Sequence, residues 1–207
     1  MKLRRFGLGV LSSALLWIGC TPPNPQVTPP AQIAPVHFYE GKTIHLYIGF
    51  SSPSEPDRAA RLIFDHMSPH IPGRPRVIVS NMPGAESIIS ANYLYNVAKP
   101  DGLTVGAFAG DPALWKDAAA KGRIKFEPRK FQWIGGIEDG ATKRRLFLSL
   151  PPGTPERLAE ILRIAFLNSI KSPPVLAGLG RTIIPMTSKE VETIVNEFSK
   201  EPGIGPR

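Results

Sequence analysis

Apolar runs and amphipathic stretches alternate along the chain from Ile44 onward. The segments IHLYIGF (44–50) and RVIVS (76–80) are rich in β-branched and aromatic residues and predict strands. Each leads through a polar loop into a helical pattern, PDRAARLIFDHM (56–67) and SIISANYLYNVA (87–98). The chain from Ile44 to Gly106 therefore reads as two consecutive strand-loop-helix units. In the first loop Ser54 and Asp57 form an S-x-x-D capping pattern, with Pro56 inside the first turn, where its missing N–H costs least. In the second, Asn81 to Ala85 is a turn sequence in which Gly84 lets the backbone approach a ligand, and Ile88, Ala91, Leu94 and Tyr95 follow on the helix. Lys99-Pro100-Asp101-Gly102 stops that helix.

Two later helices are predicted by the same logic. ERLAEILRIAFLNSI (156–170) places Leu158, Ile161, Leu162, Ala165 and Ser169 on one face, with Thr154 and Pro155 as its start signal. Another begins at Thr187, with Glu190 three residues on as a second capping box and a stripe of Val191, Ile194, Val195 and Phe198.

Two helix N-termini opening from neighbouring loops have a chemical consequence. Unpaired backbone N–H groups and the partial positive charge of the helix end favour a small carboxylate or phosphate without any catalytic residue. The pattern speaks of binding before chemistry.

The segments GFSSPSEPDRAAR (49–61), NMPGAESIISANYL (81–94) and KPDGLTVG (99–106), followed by FEPRKFQWIGG (126–136) and PPGTPERL (151–158), resemble in order and spacing the Bug-type receptors. These are the periplasmic substrate-binding proteins of tripartite tricarboxylate transporters. The resemblance implies an α/β fold of the type II periplasmic-binding-protein kind, a three-layer sheet with helices on both faces. It implies capture of a small organic carboxylate and delivery to transporter membrane subunits, with no enzymatic activity, cofactor or metal. The ligand-contacting positions it implies are Ser51, Ser52, Ser54 and Asp57 in the first loop and Pro83, Gly84, Ala85, Glu86 and Ser87 in the second.

The chain departs from that family in two places. Its first loop carries Ser51, Ser52, Pro53, Ser54, Glu55 and Pro56 where the family is rich in glycine, and Glu86 stands where the second loop would continue with glycine. Added carboxylates oppose an anionic ligand, although an acidic residue in a helix's first turn also complements the macrodipole. The second departure is architectural. Only Ile137 to Ser149 separates Trp133-Ile134-Gly135-Gly136 from the PPG-containing return, where the family places a whole second lobe. The globular part, 37–207, thus reads as a single lobe with an N-terminal part (37–136) and a C-terminal return (150–207), the second lobe being largely missing. One such layer structure can bury a core, but an open half-site leaves a carboxylate solvated. High affinity would then call for an opposing wall from a partner chain, such as a second copy.

The start of the chain specifies location. Lys2, Arg4 and Arg5 precede an apolar stretch, Phe6 to Ile18, too short for an ordinary membrane span, so residues 1–19 read as a secretory signal. Gly19-Cys20 resembles a bacterial lipobox, with Trp17 a departure from its small aliphatic residue. The resemblance implies lipidation of Cys20 and a periplasmic protein anchored to a membrane. Residues 20–36 are Pro-rich and read as an extended tether, spanning roughly 50 Å in polyproline II form. Cys20 is the only cysteine, which excludes an intramolecular disulfide.

Charge changes the picture little. Of the net +8, the leader supplies three charges. Basic residues gather at Lys121 to Lys130 and at Lys143-Arg144-Arg145, a pattern expected of a solvated face. Nucleic-acid binding has no recognisable module here. No G-x-S-x-G, P-loop, H-E-x-x-H or G-x-G-x-x-G signature is present. His66 and His70 beside Asp65 have metal-compatible helical spacing, but Pro69 interrupts it, and a helix-end role is expected. Tyr93, Tyr95, Trp115 and Trp133 are expected in the core or at its edge. Two functions from different classes follow: a solute-binding component of a carboxylate transporter, or a receptor-derived lipoprotein without ligand capture that serves as an interaction module.

Overall fold

In the computed structural model, described over residues 38–180 and 182–199, Ile44, Leu46 and Ile48 of strand β1 (Thr43–Ile48) are all fully buried on one face of a sheet. This is the period-2 pattern of the sequence put to use. The sheet contains β1, β2 (Arg76–Asn81), β3 (Thr104–Ala109), β4 (Gln132–Asp139), β5 (Arg145–Leu150) and β6 (Ile183–Thr187), in the order β2-β1-β3-β5-β4-β6. Strands β2, β1 and β3 are parallel; β5, β4 and β6 join antiparallel to their neighbours.

Among the described residues six α-helices cover the sheet: α1 (Glu55–Met67), α2 (Ile88–Asn96), α3 (Pro112–Ala120), α4 (Glu156–Ile170), α5 (Pro173–Leu179) and α6 (Ser188–Phe198). On one face Ile63 and Phe64 of α1, Leu162 and Phe166 of α4 and Val175 of α5 pack over the apolar residues of β1, β3 and β5. On the other, Ile88 and Leu94 of α2, Trp115 of α3 and Val191 and Val195 of α6 surround a cluster of aromatic rings that includes Phe108, Phe126, Phe131, Trp133 and Phe147. The arrangement is a three-layer α/β lobe with helices on both faces, as expected, and the described residues build one sheet. Trp115 and Trp133 are both in this core, stacked with centroids 6.4 Å apart.

The predicted helix boundaries hold closely. Ser54 caps α1, Ser87 occupies the N-cap of α2, and α6 starts at a complete capping box: Glu190 N–H donates to Thr187 Oγ1 at 3.3 Å, and Thr187 N–H to Glu190 Oε2 at 2.7 Å. The box predicted at α1 is only half formed. Asp57 N–H donates to Ser54 Oγ, but the Asp57 carboxylate turns away to Arg61 and Asn81. His66 ends α1 with its Nδ1 3.0 Å from Leu62 O, and the described residues contain no cluster of metal-binding side chains.

Where the resemblance implies a passage into a second lobe, β4 instead reverses directly into β5. Asp139 organises the turn, its Oδ1 accepting from the amides of Ala141 and Thr142 at 2.8 and 3.2 Å, while Lys143 takes a left-handed conformation, φ 60°. Those amide donors hold the Asp139 carboxyl below its usual range. Beside it Glu138 receives Arg145 Nε at 2.7 Å and Lys143 Nζ at 3.3 Å. Partial burial opposes its ionisation, yet these cations lower its pKa. The basic run at the hairpin is thus partly neutralised within the fold. No helix among the described residues is long and apolar enough to cross a membrane. The leader, Cys20 and the whole Pro-rich stretch lie outside the described residues.

Candidate functional site

Because β1, β2 and β3 run parallel, the loops that follow them emerge along the same edge of the sheet. The chain leaves β1 for α1 on one face and leaves β3 for α3 on the other. Adjacent loops that part to opposite faces leave a crevice at the carboxyl ends of the strands, the usual ligand position in open α/β sheets. A cavity of about 950 Å³ lies there. Phe50, Ser54 and Arg58 line it from the β1-α1 side, Ala109, Asp111 and Leu114 from the β3-α3 side, Glu86 from the second loop, and Thr142, Arg144 and Arg145 from the hairpin.

The nine sequence-predicted positions divide into three groups. Ser54 and Glu86 line the cavity. Ser51, Ser52 and Pro83 are exposed on their loops, and Gly84 and Ala85 are half-buried in the second turn. Asp57 and Ser87 are buried, each about 1% exposed, and work beneath the loops. Arg61 Nε approaches both Asp57 oxygens at 3.0 and 3.1 Å, Arg61 Nη2 donates to Asn81 Oδ1 at 2.8 Å, and Asn81 Nδ2 donates both to Asp57 Oδ1 and to the Phe50 carbonyl. Burial opposes ionisation of Asp57, but hydrogen bonds from Arg61, Asn81 and Ser52 and the Arg61 charge outweigh it and hold the carboxyl below its usual range. The network locks loop 1 to the end of β2.

Ser87 performs the equivalent task for loop 2. Its Oγ accepts from the Ala109 amide at 2.8 Å, tying the start of α2 to the end of β3. Gly49 makes the crossing possible, since a Cβ there would lie 2.4 Å from Ser87 Cβ and 2.5 Å from Ser90 Oγ.

Between these anchors the second loop takes an unusual backbone. Ala85, Glu86 and Ser87 have successive φ values of 47°, 52° and 69°, and Gly84 precedes them at 135°. Left-handed L-residues cost roughly 1–2 kcal/mol each, and such strain concentrates at functional sites. The amides of Gly84, Ala85, Glu86 and Ser87 reach no acceptor among the described residues. Successive free amides in a turn at a helix N-terminus make a concavity suited to an anion.

The charges around the cavity are mixed. Glu55, Glu86, Asp111 and Asp139 contribute carboxylates; Arg58, Arg144 and Arg145 contribute guanidinium groups. Asp111 uses Oδ1 to cap α3 at Ala113 N, 2.8 Å away. The third wall, from Ala109 to Leu114, was missed by the sequence reading, although Asp111-Pro112 is an N-cap followed by an N1 proline and would have revealed it.

The sequence matches no protein-family model and no curated protein. The fold does match solved structures. A TctC solute-binding protein from Polaromonas, solved without ligand, superposes with a TM-score of 0.67 at 12% identity, over 78% of this chain and 96% of that one. The periplasmic binding protein BugD gives 0.60 at 12% identity, over 78% and 97%. MatC from Rhodopseudomonas palustris, with bound malate, gives 0.59 at 12% identity, over 77% and 98%. The structural neighbours are thus TctC- and Bug-type periplasmic solute-binding proteins, and this chain has their periplasmic-binding-protein-like fold.

Proposed function

We propose that the protein is the extracytoplasmic solute-binding component of a tripartite tricarboxylate-type transporter and captures a small organic carboxylate at the carboxyl edge of its parallel strands. The observation that carries this reading is the set of free amides from Gly84 to Ser87, in a strained turn whose Glu86 lines the cavity. The N-terminus of α1 at Ser54 and Glu55 lines the same cavity. The carboxylate would be held by backbone N–H groups at these two helix ends, with no side chain required to react. The fold shared with solute-binding proteins, one of them solved with malate, supports the ligand class. The leader, the lipobox-like Gly19-Cys20 and the Pro-rich tether fit a periplasmic protein anchored by a lipidated Cys20 beside membrane subunits.

Gly84→Val tests the assignment. A Cβ there would meet Ile89 Cδ1 at 2.4 Å, but Ile89 is half exposed and free to move, so the fold should persist while the turn at φ 135° is forced to rearrange. Carboxylate binding measured by calorimetry should be lost with the circular dichroism spectrum unchanged. Unaltered affinity in this variant would refute the pocket assignment.

One observation favours a second reading, an interaction module that has lost ligand capture. The β4-β5 hairpin stands where an opposing lobe would begin, so no second lobe closes over the cavity within the described residues. On this reading no carboxylate changes the melting temperature or the oligomeric state of the purified protein.

A further inference from the structure

The two edges of the sheet are guarded differently. At one edge β6 carries Pro185 in its middle, and proline cannot donate to a further strand. At the other, β2 reads Arg-Val-Ile-Val-Ser-Asn, with no proline or glycine and with its single charge, Arg76, at the end. Arg76 N–H donates to Lys42 O and Met82 N–H to Ile48 O. By the alternation of a parallel ladder, the backbone groups of Val77 and Val79 therefore point outward, and no strand among the described residues lies beside them.

The side chains along this edge are apolar as well. Ile78 is 51% exposed and shares a face of the sheet with Tyr47, whose ring packs 4.8 Å from that of Tyr93 on α2. Ile89 and Val97, 49% and 64% exposed, stand one helical turn to either side of Tyr93. A six-residue strand pair is small for a stable interface, and this stripe beside it adds the apolar area that such an interface needs.

The edge is also self-complementary. In an antiparallel pair centred on Ile78, that residue faces its own counterpart and Val77 faces Val79 of the second copy. Arg76 then faces Ser80 of the second copy, so like charges are not opposed. Neither terminal stretch of the chain suits the place, since 20–36 and 201–207 are interrupted by prolines that lack the N–H a ladder requires.

We propose that β2 pairs antiparallel with β2 of a second copy of this chain, across a twofold axis at Ile78, and joins the two sheets into one. The carboxyl ends of the parallel strands then point in opposite directions, so neither cavity closes the other and the pairing is independent of ligand capture.

Sedimentation velocity of the purified protein over a micromolar concentration series, with amide hydrogen exchange at its two ends, tests this. The expected result is a species of twice the chain mass that grows with concentration, in which the Val77 and Val79 amides exchange about tenfold or more slowly than in the monomer. Ile78 is half exposed, so Ile78→Lys should keep the fold, yet it sets two ammonium groups against each other at the axis and should weaken the dimer about tenfold or more. Ile184→Lys, on the opposite edge, should leave the dimer unchanged. A protein that stays monomeric throughout, a dimer whose Val77 and Val79 amides gain no protection, or a dimer that Ile78→Lys weakens no more than Ile184→Lys does would overturn the proposal.

Discussion

Gly49 and Ser87 meet across the two loops of the cavity so closely that a Cβ on Gly49 would fall 2.4 Å from Ser87 Cβ and 3.0 Å from its Cα. The contact brings the end of β1 against the N-cap of α2, while the Ser87 hydroxyl accepts from Ala109 at the end of β3. One small residue and one hydroxyl thus hold three loops in register.

Gly49→Ala should therefore shift the loops as well as destabilise the fold. The obstructing atoms are Ser87 Cβ and Cα and the Ser90 hydroxyl, which is itself bonded to the Ser87 carbonyl, so a cost of about 1–3 kcal/mol is expected. Chemical denaturation would measure it. A variant as stable as the wild type would contradict the close packing.

Ser87→Ala removes the buried acceptor for the Ala109 amide and leaves that donor unpaired. The expected loss is about 1–3 kcal/mol, with faster hydrogen exchange at Ala109. Unchanged exchange at that amide would contradict the assigned bond.

The Asp57 network makes a pH-dependent contribution whose sign follows from its lowered pKa. The carboxyl protonates at lower pH in the folded protein than in the unfolded chain. Its stabilisation is therefore fully present above about pH 4 and is lost as the pH falls through the folded-state value. Asp57→Asn should cost roughly 1–3 kcal/mol at pH 7 and should lose less stability than the wild type on further acidification. Parallel acid profiles for the two proteins would show that Asp57 is not held in this way.

The two stacked tryptophans should respond differently to replacement by phenylalanine. Trp115 Nε1 donates to the Ala109 carbonyl at 3.0 Å, whereas the buried Trp133 Nε1 has no hydrogen-bond partner among the described residues. Both variants lose ring volume, but only Trp115→Phe removes a hydrogen bond, so it should be the more destabilising by about 1 kcal/mol. Equal thermal stabilities would contradict this distinction.

Much of the lobe was legible in the sequence because local signals agree with the fold. The alternation in Ile44, Leu46 and Ile48, the cap at Ser54 and the box at Thr187 and Glu190 each act within a few residues. The left-handed run at Ala85, Glu86 and Ser87 was not legible, since only glycine or asparagine advertises such backbone and none stands at these three positions. The role of Asp57 was misjudged for another reason. Its spacing from Ser54 suggests a capping box, while its actual partner Asn81 lies 24 residues away and is brought near only by the pairing of β1 with β2. The same holds for Arg144 and Arg145, which reach the cavity through a hairpin that no local pattern places there.

A thermal melt of the purified protein, with and without a panel of small carboxylates that includes malate, tests ligand capture most directly. Ligand at about 100 times its dissociation constant should stabilise the fold by about 2.7 kcal/mol and raise the melting temperature by several degrees. The account predicts such a shift for a restricted set of carboxylates. A cooperative melt that none of them moves would contradict it.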